Sequence, residues 1–221
     1  MALNLPWIKS LANTFRVVLA SGSPRRKELL DRLNIEYDVV PSGFAEDLEK
    51  SLFPSANEYV LENASRKAEE VYKSLKNEHS QAPLLVIGAD TVVVSANGVI
   101  LEKPASAQDA FVVLKEKLSG KTNTVLTGIC LYIDYAQQHG TQPVIKSAVE
   151  STSVTFNTLD DSLIEAYVAT GEPMDKAGSY AYQSLACFFV KEINGDYYNV
   201  VGFPCARFYQ MLTDLHNKGM F

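Results

Sequence analysis

The chain alternates between short apolar runs and helical spacings. Val17-Val18-Leu19 is a continuous apolar run that predicts a buried strand, and Leu29, Leu30 and Leu33 then share one face of a helix. Between them lies Ala20-Ser21-Gly22-Ser23-Pro24-Arg25-Arg26, where Ser23 suits an N-cap and Pro24 the first helical position. Ile35 to Val40 alternates as a strand does and stops at Pro41. Ser55 and Glu58 form a capping box ahead of a long helix to about Leu75, with Leu61, Ala64, Ala68, Val71, Tyr72 and Leu75 inward. A polar linker is expected over 77–81. Leu84-Leu85-Val86-Ile87-Gly88 has the unbroken apolar character of a strand buried on both faces, and Val92-Val93-Val94 continues it. Asn97-Gly98 predicts a hairpin turn, and Ser106 caps a helix that closes at Ser119-Gly120.

The second half is richer in strand. Thr124 to Asp134 and Val144 to Phe156 predict two long strands joined by a polar loop over 136–143. A helix is expected from about Leu159 to Thr170, and the Gly- and Pro-bearing stretch Gly171 to Gly178 is expected to be a loop. Cys187 to Ile193 and Tyr197 to Val201 read as strands around an Asn194-Gly195 hairpin, followed by a last helix from Pro204 to His216. No repeat or low-complexity tract divides the chain. The expected architecture is α/β, with one elongated mixed β-sheet flanked by helices, in a single domain over 16–217. Residues 1–15 form an N-terminal extension that lacks the charged start and long apolar run of a secretory signal.

Composition narrows the function. With 47% apolar and 21% charged residues over 221 positions, a soluble protein with a substantial core is expected. A net charge of −6 argues against a general nucleic-acid binder, so basic residues inside motifs look local and specific. Three cysteines, odd in number and without a CxxC, suggest reduced thiols and a cytoplasmic protein. His79, His139 and His216 lie in polar or terminal surroundings, which argues against a His-based triad or metal centre. No run approaches the length of a membrane span.

The strand–turn–helix at 19–26 aims unpaired backbone N–H groups at one spot, beside the hydroxyls of Ser21 and Ser23 and the charges of Arg25 and Arg26. That is the chemistry of an anion site, although neither a Walker A pattern nor GxGxxG is present. The competing reading is a capped helix with two solvated arginines. Asp90, directly after a buried apolar strand, needs a partner or a function, or else caps a turn through its own backbone. Taken singly, Glu46, Lys67 and Lys103 read as surface charges, and Asp175-Lys176 as an exposed ion pair. Together they fit a polyphosphate substrate. Arg26, Lys67 and Lys103 would neutralise phosphates. Glu46 and Asp90 would hold a divalent metal cation, and a carboxylate beside it would deprotonate a water. No Ser–His or Cys–His pair offers a nucleophile.

The ordered motifs resemble those of the Maf nucleotide pyrophosphatases from about Arg16 to Leu212. They are Leu19-Ala-Ser-Gly-Ser-Pro-Arg-Arg26, Glu46, Arg66-Lys67-Ala68, Gly88-Ala-Asp-Thr91, Glu102-Lys-Pro104, Leu118-Ser-Gly-Lys-Thr122, Gly171-Glu-Pro-Met-Asp-Lys-Ala-Gly178, Tyr182-Gln183 and Val200-Val-Gly202. The resemblance implies an elongated α/β fold similar to that of the inosine triphosphate pyrophosphatases, and a homodimer. It implies hydrolysis of a nucleoside triphosphate to the monophosphate and pyrophosphate with Mg2+ or Mn2+. The family's base falls on Asp90, and its other site residues on Ser21, Arg26, Glu46, Lys67, Lys103 and Gln183. Arg25, Thr91 and Gln183 match the branch that takes dTTP and UTP. A branch that takes 7-methyl-GTP has Trp, Gln and Glu there. The implied role is removal of unwanted pyrimidine triphosphates. The rivals are a pyrophosphatase for another nucleotide and a nucleotide-binding regulator of cell division. Asn123, where the family often has His, is a departure, as are the extension, the loop 135–143 and Phe203-Pro204-Cys205.

Overall fold

The computed structural model describes residues 5–77, 83–135 and 142–221. Most of the polar linker expected over 77–81 and of the polar loop expected over 136–143, with His79 and His139, lies outside the described residues. The elements in order are α1 (Pro6–Thr14), β1 (Arg16–Leu19), α2 (Pro24–Asp31), β2 (Asp38–Val39), α3 (Ala56–Asn77), β3 (Leu84–Val94), β4 (Ile100–Leu101), α4 (Ala107–Val112), β5 (Thr122–Asp134), β6 (Val144–Phe156), α5 (Asp161–Ala169), β7 (Val190–Asn194), α6 (Tyr197–Val201) and α7 (Cys205–Asn217). One seven-stranded mixed sheet runs β2-β1-β3-β5-β6-β7, with β4 paired to β3. This is the mixed α/β architecture the sequence implies.

The eleven-residue β3 organises the sheet. Along one edge it pairs antiparallel with β5 over its full length. Along the other, Leu84 to Ile87 pair parallel with β1, and Val93 and Val94 pair antiparallel with β4. Gly88 to Val92 therefore face a gap between two partners, at the end of β1. Ligands of open α/β sheets gather at such strand ends.

Alternate residues of the sheet feed separate cores. Leu85, Ile87 and Ala89 join Ile129, Leu131 and Ile133 against α1, α2 and α7. Val86, Cys130 and Tyr132 face the other way, onto Ala64, Ala68 and Val71 of α3. Two glycines let α3 settle there. A Cβ on Gly88 would lie 2.2 Å from the Ala64 carbonyl oxygen, and one on Gly128 would lie 2.7 Å from that of Val60. At the far end, Val93, Val125 and Phe156 pack with Leu114, Ile164, Tyr167 and Phe189.

Most caps fall where the sequence places them. Ser23, Ser106 and Ser55 each accept from the backbone N–H three residues on, and Ser55 pairs with Glu58. Four expectations are corrected. The strand expected over 35–40 shrinks to Asp38–Val39, because only the last two residues of β1 lie beside it. The helix opened by Ser106 continues from Val113 to Leu118 as a π-helix. The segment from Leu185 to Phe188 is a 3-10 turn, and the strand starts only at Val190. Tyr197–Val201 is a helix, so Asn194-Gly195 leads from strand to helix and not into a hairpin. The Asp196 side chain accepts from the Tyr198 N–H at 2.8 Å, and Gly202 closes α6 at φ 113. Buried Asn199 donates to the Val125 carbonyl and to Thr152 Oγ1, both at 3.0 Å. These anchors outweigh the strand preference of a Tyr-Tyr-Asn-Val-Val run.

The extension forms α1, and Ile8 and Leu11 are buried in the core beneath α7. Asn123 is also structural. Its Nδ2 donates to the Val154 carbonyl at 2.9 Å, and its Oδ1 accepts from Tyr180 Oη at 3.0 Å.

Candidate active site

The turn between β1 and α2 is built as the local sequence dictates. Ser23 caps α2, and its own N–H donates to Ser21 Oγ at 3.3 Å. This directs the first turn of α2, and Arg26 on it, toward the gap beside β3. Arg26 is not a solvated arginine. It donates from Nη1 to Ser21 Oγ at 3.1 Å, from Nη2 to Thr91 Oγ1 at 3.1 Å and from Nε to the Gly202 carbonyl at 3.0 Å. Burial pulls its pKa below the ordinary guanidinium value. Asp90 and Glu46 pull it back up, and Arg25 pushes it further down. A guanidinium keeps its charge through such shifts. All three bonds end on uncharged oxygens, so no carboxylate is spent on it.

Opposite stands Lys67. The close seat of α3 on Gly88 turns Asn63, Ala64, Lys67 and Ala68 inward, and Lys67 is only 7% exposed. Its ammonium donates to Asp90 Oδ1 at 2.7 Å and approaches Glu46 Oε2 at 3.0 Å. The solvated-surface reading of Lys67 is thereby overturned, and so is the reading of Asp90 as a turn cap. Asp90 lies inside β3 and is 6% exposed. Glu46 comes from an exposed loop and has φ 55, the left-handed backbone that non-glycine residues rarely adopt. Such strain persists where surrounding structure holds it, often at functional positions.

These groups line one cavity of ≈ 370 Å³. Ser21, Arg25, Arg26, Glu46, Lys67, Asp90, Thr91, Lys103 and Gln183 all border it, so the structure brings every sequence-derived candidate together. Lys103 and Gln183 sit at the exposed rim. The cavity counts five basic residues (Arg25, Arg26, Lys67, Lys103, Lys176) against three acidic ones (Glu46, Asp90, Asp175), a local excess of two positive charges in a chain of net −6. That reversal suits a polyanion.

Two contributions escaped the sequence reading. Lys176, paired with Asp175, is half-buried in the cavity lining and not a free surface charge. Its loop is held by the Gly178 N–H donating to the Glu102 carbonyl at 3.1 Å, while the Glu102 carboxylate pairs with Lys50. The Gly-bounded stretch from Gly171 to Gly178 was the available signal. Thr91, named above only for its match to the dTTP/UTP branch, is also structural. Its hydroxyl is engaged with Arg26 and with Thr127 Oγ1 at 3.0 Å.

Among the described residues, no three His, Cys, Asp or Glu side chains converge as a ready-made metal cage. The three cysteines are free, with Cys130 buried and Cys187 exposed. No helix among the described residues is long and apolar enough to cross a membrane.

The family model described as Maf-like protein matches residues 16–215. The chain belongs to the Maf family. The match opens at β1 and spans every residue of the cavity, whereas α1 lies before it. Among Maf-related proteins, the dTTP/UTP pyrophosphatase of Thermococcus kodakarensis is 46% identical over 188 residues, covering 85% of this chain and 90% of its own. That of Thermotoga maritima is 44% identical over 199 residues, covering 90% and 89%. A human protein named probable bifunctional dTTP/UTP pyrophosphatase/methyltransferase is 43% identical over 201 residues. The alignment covers 91% of this chain but only 32% of the human protein, so the present chain spans about a third of that relative's length.

Proposed function

We propose that this protein is a nucleoside triphosphate pyrophosphatase that hydrolyses dTTP and UTP to the nucleoside monophosphate and pyrophosphate, with 16–217 as a single catalytic domain. The observation that carries this reading is the cavity's division of labour. A guanidinium with no carboxylate bonded to it among the described residues shares the cavity with a Lys67–Asp90–Glu46 cluster, in a space with excess positive charge. Related proteins carrying that activity in their names support the substrate assignment.

In this reading Arg26 and Lys103 grip phosphate oxygens together with the N–H groups of the 20–26 turn. Asp90 takes the proton of the attacking water, and Lys67 fixes the orientation of that carboxylate. Arg25 and Gln183 meet the base at the rim. Gln183 can both donate and accept, as the imide edge of uracil or thymine requires.

The donor set also fits a divalent cation. Asp90 and Glu46 each have one oxygen on Lys67 and a second not bonded to it, and Mg2+ commonly takes one or two carboxylates plus substrate phosphates. When bound, Mg2+ or Mn2+ supplies charge neutralisation to the phosphoryl group under attack. The expectation of a cytoplasmic homodimer is carried by the cysteine usage and the resemblance alone.

A nucleotide panel with pyrophosphate detection tests the proposal. dTTP and UTP are expected to lead, and 18O from labelled water is expected on the monophosphate. Release of orthophosphate and diphosphate, or a preference for 7-methyl-GTP, overturns it. Binding without turnover in Mg2+ would point to a regulator.

A further inference from the structure

We propose that Thr127 is a positioning residue for Arg26, acting through a directed chain of hydroxyls that ends on α6. Thr127 is fully buried on β5 and is not among the residues lining the cavity. Its Oγ1 lies 3.0 Å from Thr91 Oγ1 and 3.3 Å from the Asn199 carbonyl. A carbonyl only accepts, and a hydroxyl has a single proton to give. In the proposed arrangement the Thr127 proton goes to the Asn199 carbonyl, the shorter of the two carbonyl contacts made by this hydroxyl pair. Thr127 Oγ1 then accepts from Thr91, and Thr91 Oγ1 is left with its lone pairs toward Arg26 Nη2. Every bond in the chain points the same way, from guanidinium to carbonyl, the arrangement in which successive hydrogen bonds reinforce one another.

The end of the chain is firmly held. Asn199 is pinned to β5 and β6 through its side-chain amide, and its carbonyl also accepts from the Gly202 N–H at 3.0 Å. Removing the Thr127 hydroxyl thus leaves the Asn199 carbonyl with the Gly202 N–H as its donor, and the loss falls on Thr91. The one other acceptor in reach of the Thr91 proton, among the contacts described, is the Gly202 carbonyl at 3.5 Å. That oxygen already receives Arg26 Nε at 3.0 Å. Without Thr127, the Thr91 proton is left with a long contact to an oxygen that already accepts from Arg26, and the hydroxyl that receives Arg26 Nη2 loses its fixed orientation. The residue that orients the phosphate-facing cation would thus be one that never touches substrate.

This inference rests on the proposed role of Arg26, and the test separates the two. In Thr127→Val, which keeps the shape, KM for dTTP is expected to rise about tenfold, with kcat within about twofold and the melting temperature near the parent's. Thr127→Ser restores the hydroxyl and is expected to restore KM. Thr91→Val combined with Thr127→Val is expected to cost no more than Thr91→Val alone. A folded Thr127→Val with parental KM overturns the proposal, as does a KM defect that Thr127→Ser fails to repair. If the valine variant does not fold, Thr127→Cys carries the same test, because a thiol is a weaker partner of similar size. A parent protein that leaves dTTP and UTP intact would overturn the proposed function. The relay is then read by calorimetric binding of inorganic pyrophosphate, with the same variants and the same criteria.

Discussion

On one wall of the cavity, Arg26 is held by neutral oxygens from three segments: the turn before α2, strand β3 and the end of α6. On the other wall, Lys67, Asp90 and Glu46 hold one another by opposite charge. The first arrangement fixes geometry through neutral oxygens and, among the described residues, leaves the guanidinium without a direct carboxylate contact. The second compensates its charges internally and must redistribute them when a cation or phosphate arrives. A polyphosphate enzyme needs both: a rigid clamp for the part that stays still and a responsive cluster where bonds change.

The strongest way to break the comparison is at Asp90. Asp90→Asn keeps the shape but cannot accept a proton, so kcat is expected to fall by about 10²–10⁴ with the fold intact. Near-parental turnover would move the base elsewhere. Next is Lys67→Met, which strands the buried Asp90 carboxylate without its cation. A loss of about 3 kcal/mol is expected from urea unfolding, since breaking one side of a buried pair is costly. Parental stability would mean that the cluster is held otherwise. Arg26→Lys keeps the charge but not the three-way fork, and kcat/KM for dTTP is expected to drop about thirtyfold. An unchanged value would reduce the clamp to a point charge. The smallest effect belongs to exposed Glu46. In Glu46→Gln the Mg2+ concentration for half-maximal rate is expected to rise about tenfold, an amide being a poorer ligand for a hard cation. Superimposable titrations would remove Glu46 from the metal set.

What could be read from the sequence was what is local. The Ser23 cap, Pro24 and the apolar entry of β1 specify the turn before α2 within ten residues, and the unbroken run from Leu84 announces a doubly buried strand. Lys67 could not be read as buried, because its burial follows from Gly88, twenty-one positions away in the chain and directly beneath α3. Thr127 and Asn199 carry no local signature, since their roles exist only when β5 and α6 meet. The helix at Tyr197 was signalled by Asp196 and Gly202, but the β-branched and aromatic run between them spoke louder for strand. The π-helical turn after α4 leaves no mark in residue type at all.

The glycine floor under α3 has a mechanical corollary. Where side chains separate a helix from a sheet, the spacing depends on rotamers and can drift as the core repacks. Here peptide group rests on peptide group at Gly88 and Gly128, which removes most of that tolerance. The helix acts as a gauge block. Its main chain sets the height at which Lys67 stands over Asp90, and a slip of one turn would carry the ammonium about 5.4 Å along the strand. Rim residues such as Gln183 lie outside this gauge. The edge proposed to meet the base can therefore be altered while the distance between lysine and carboxylate stays where two backbones have fixed it.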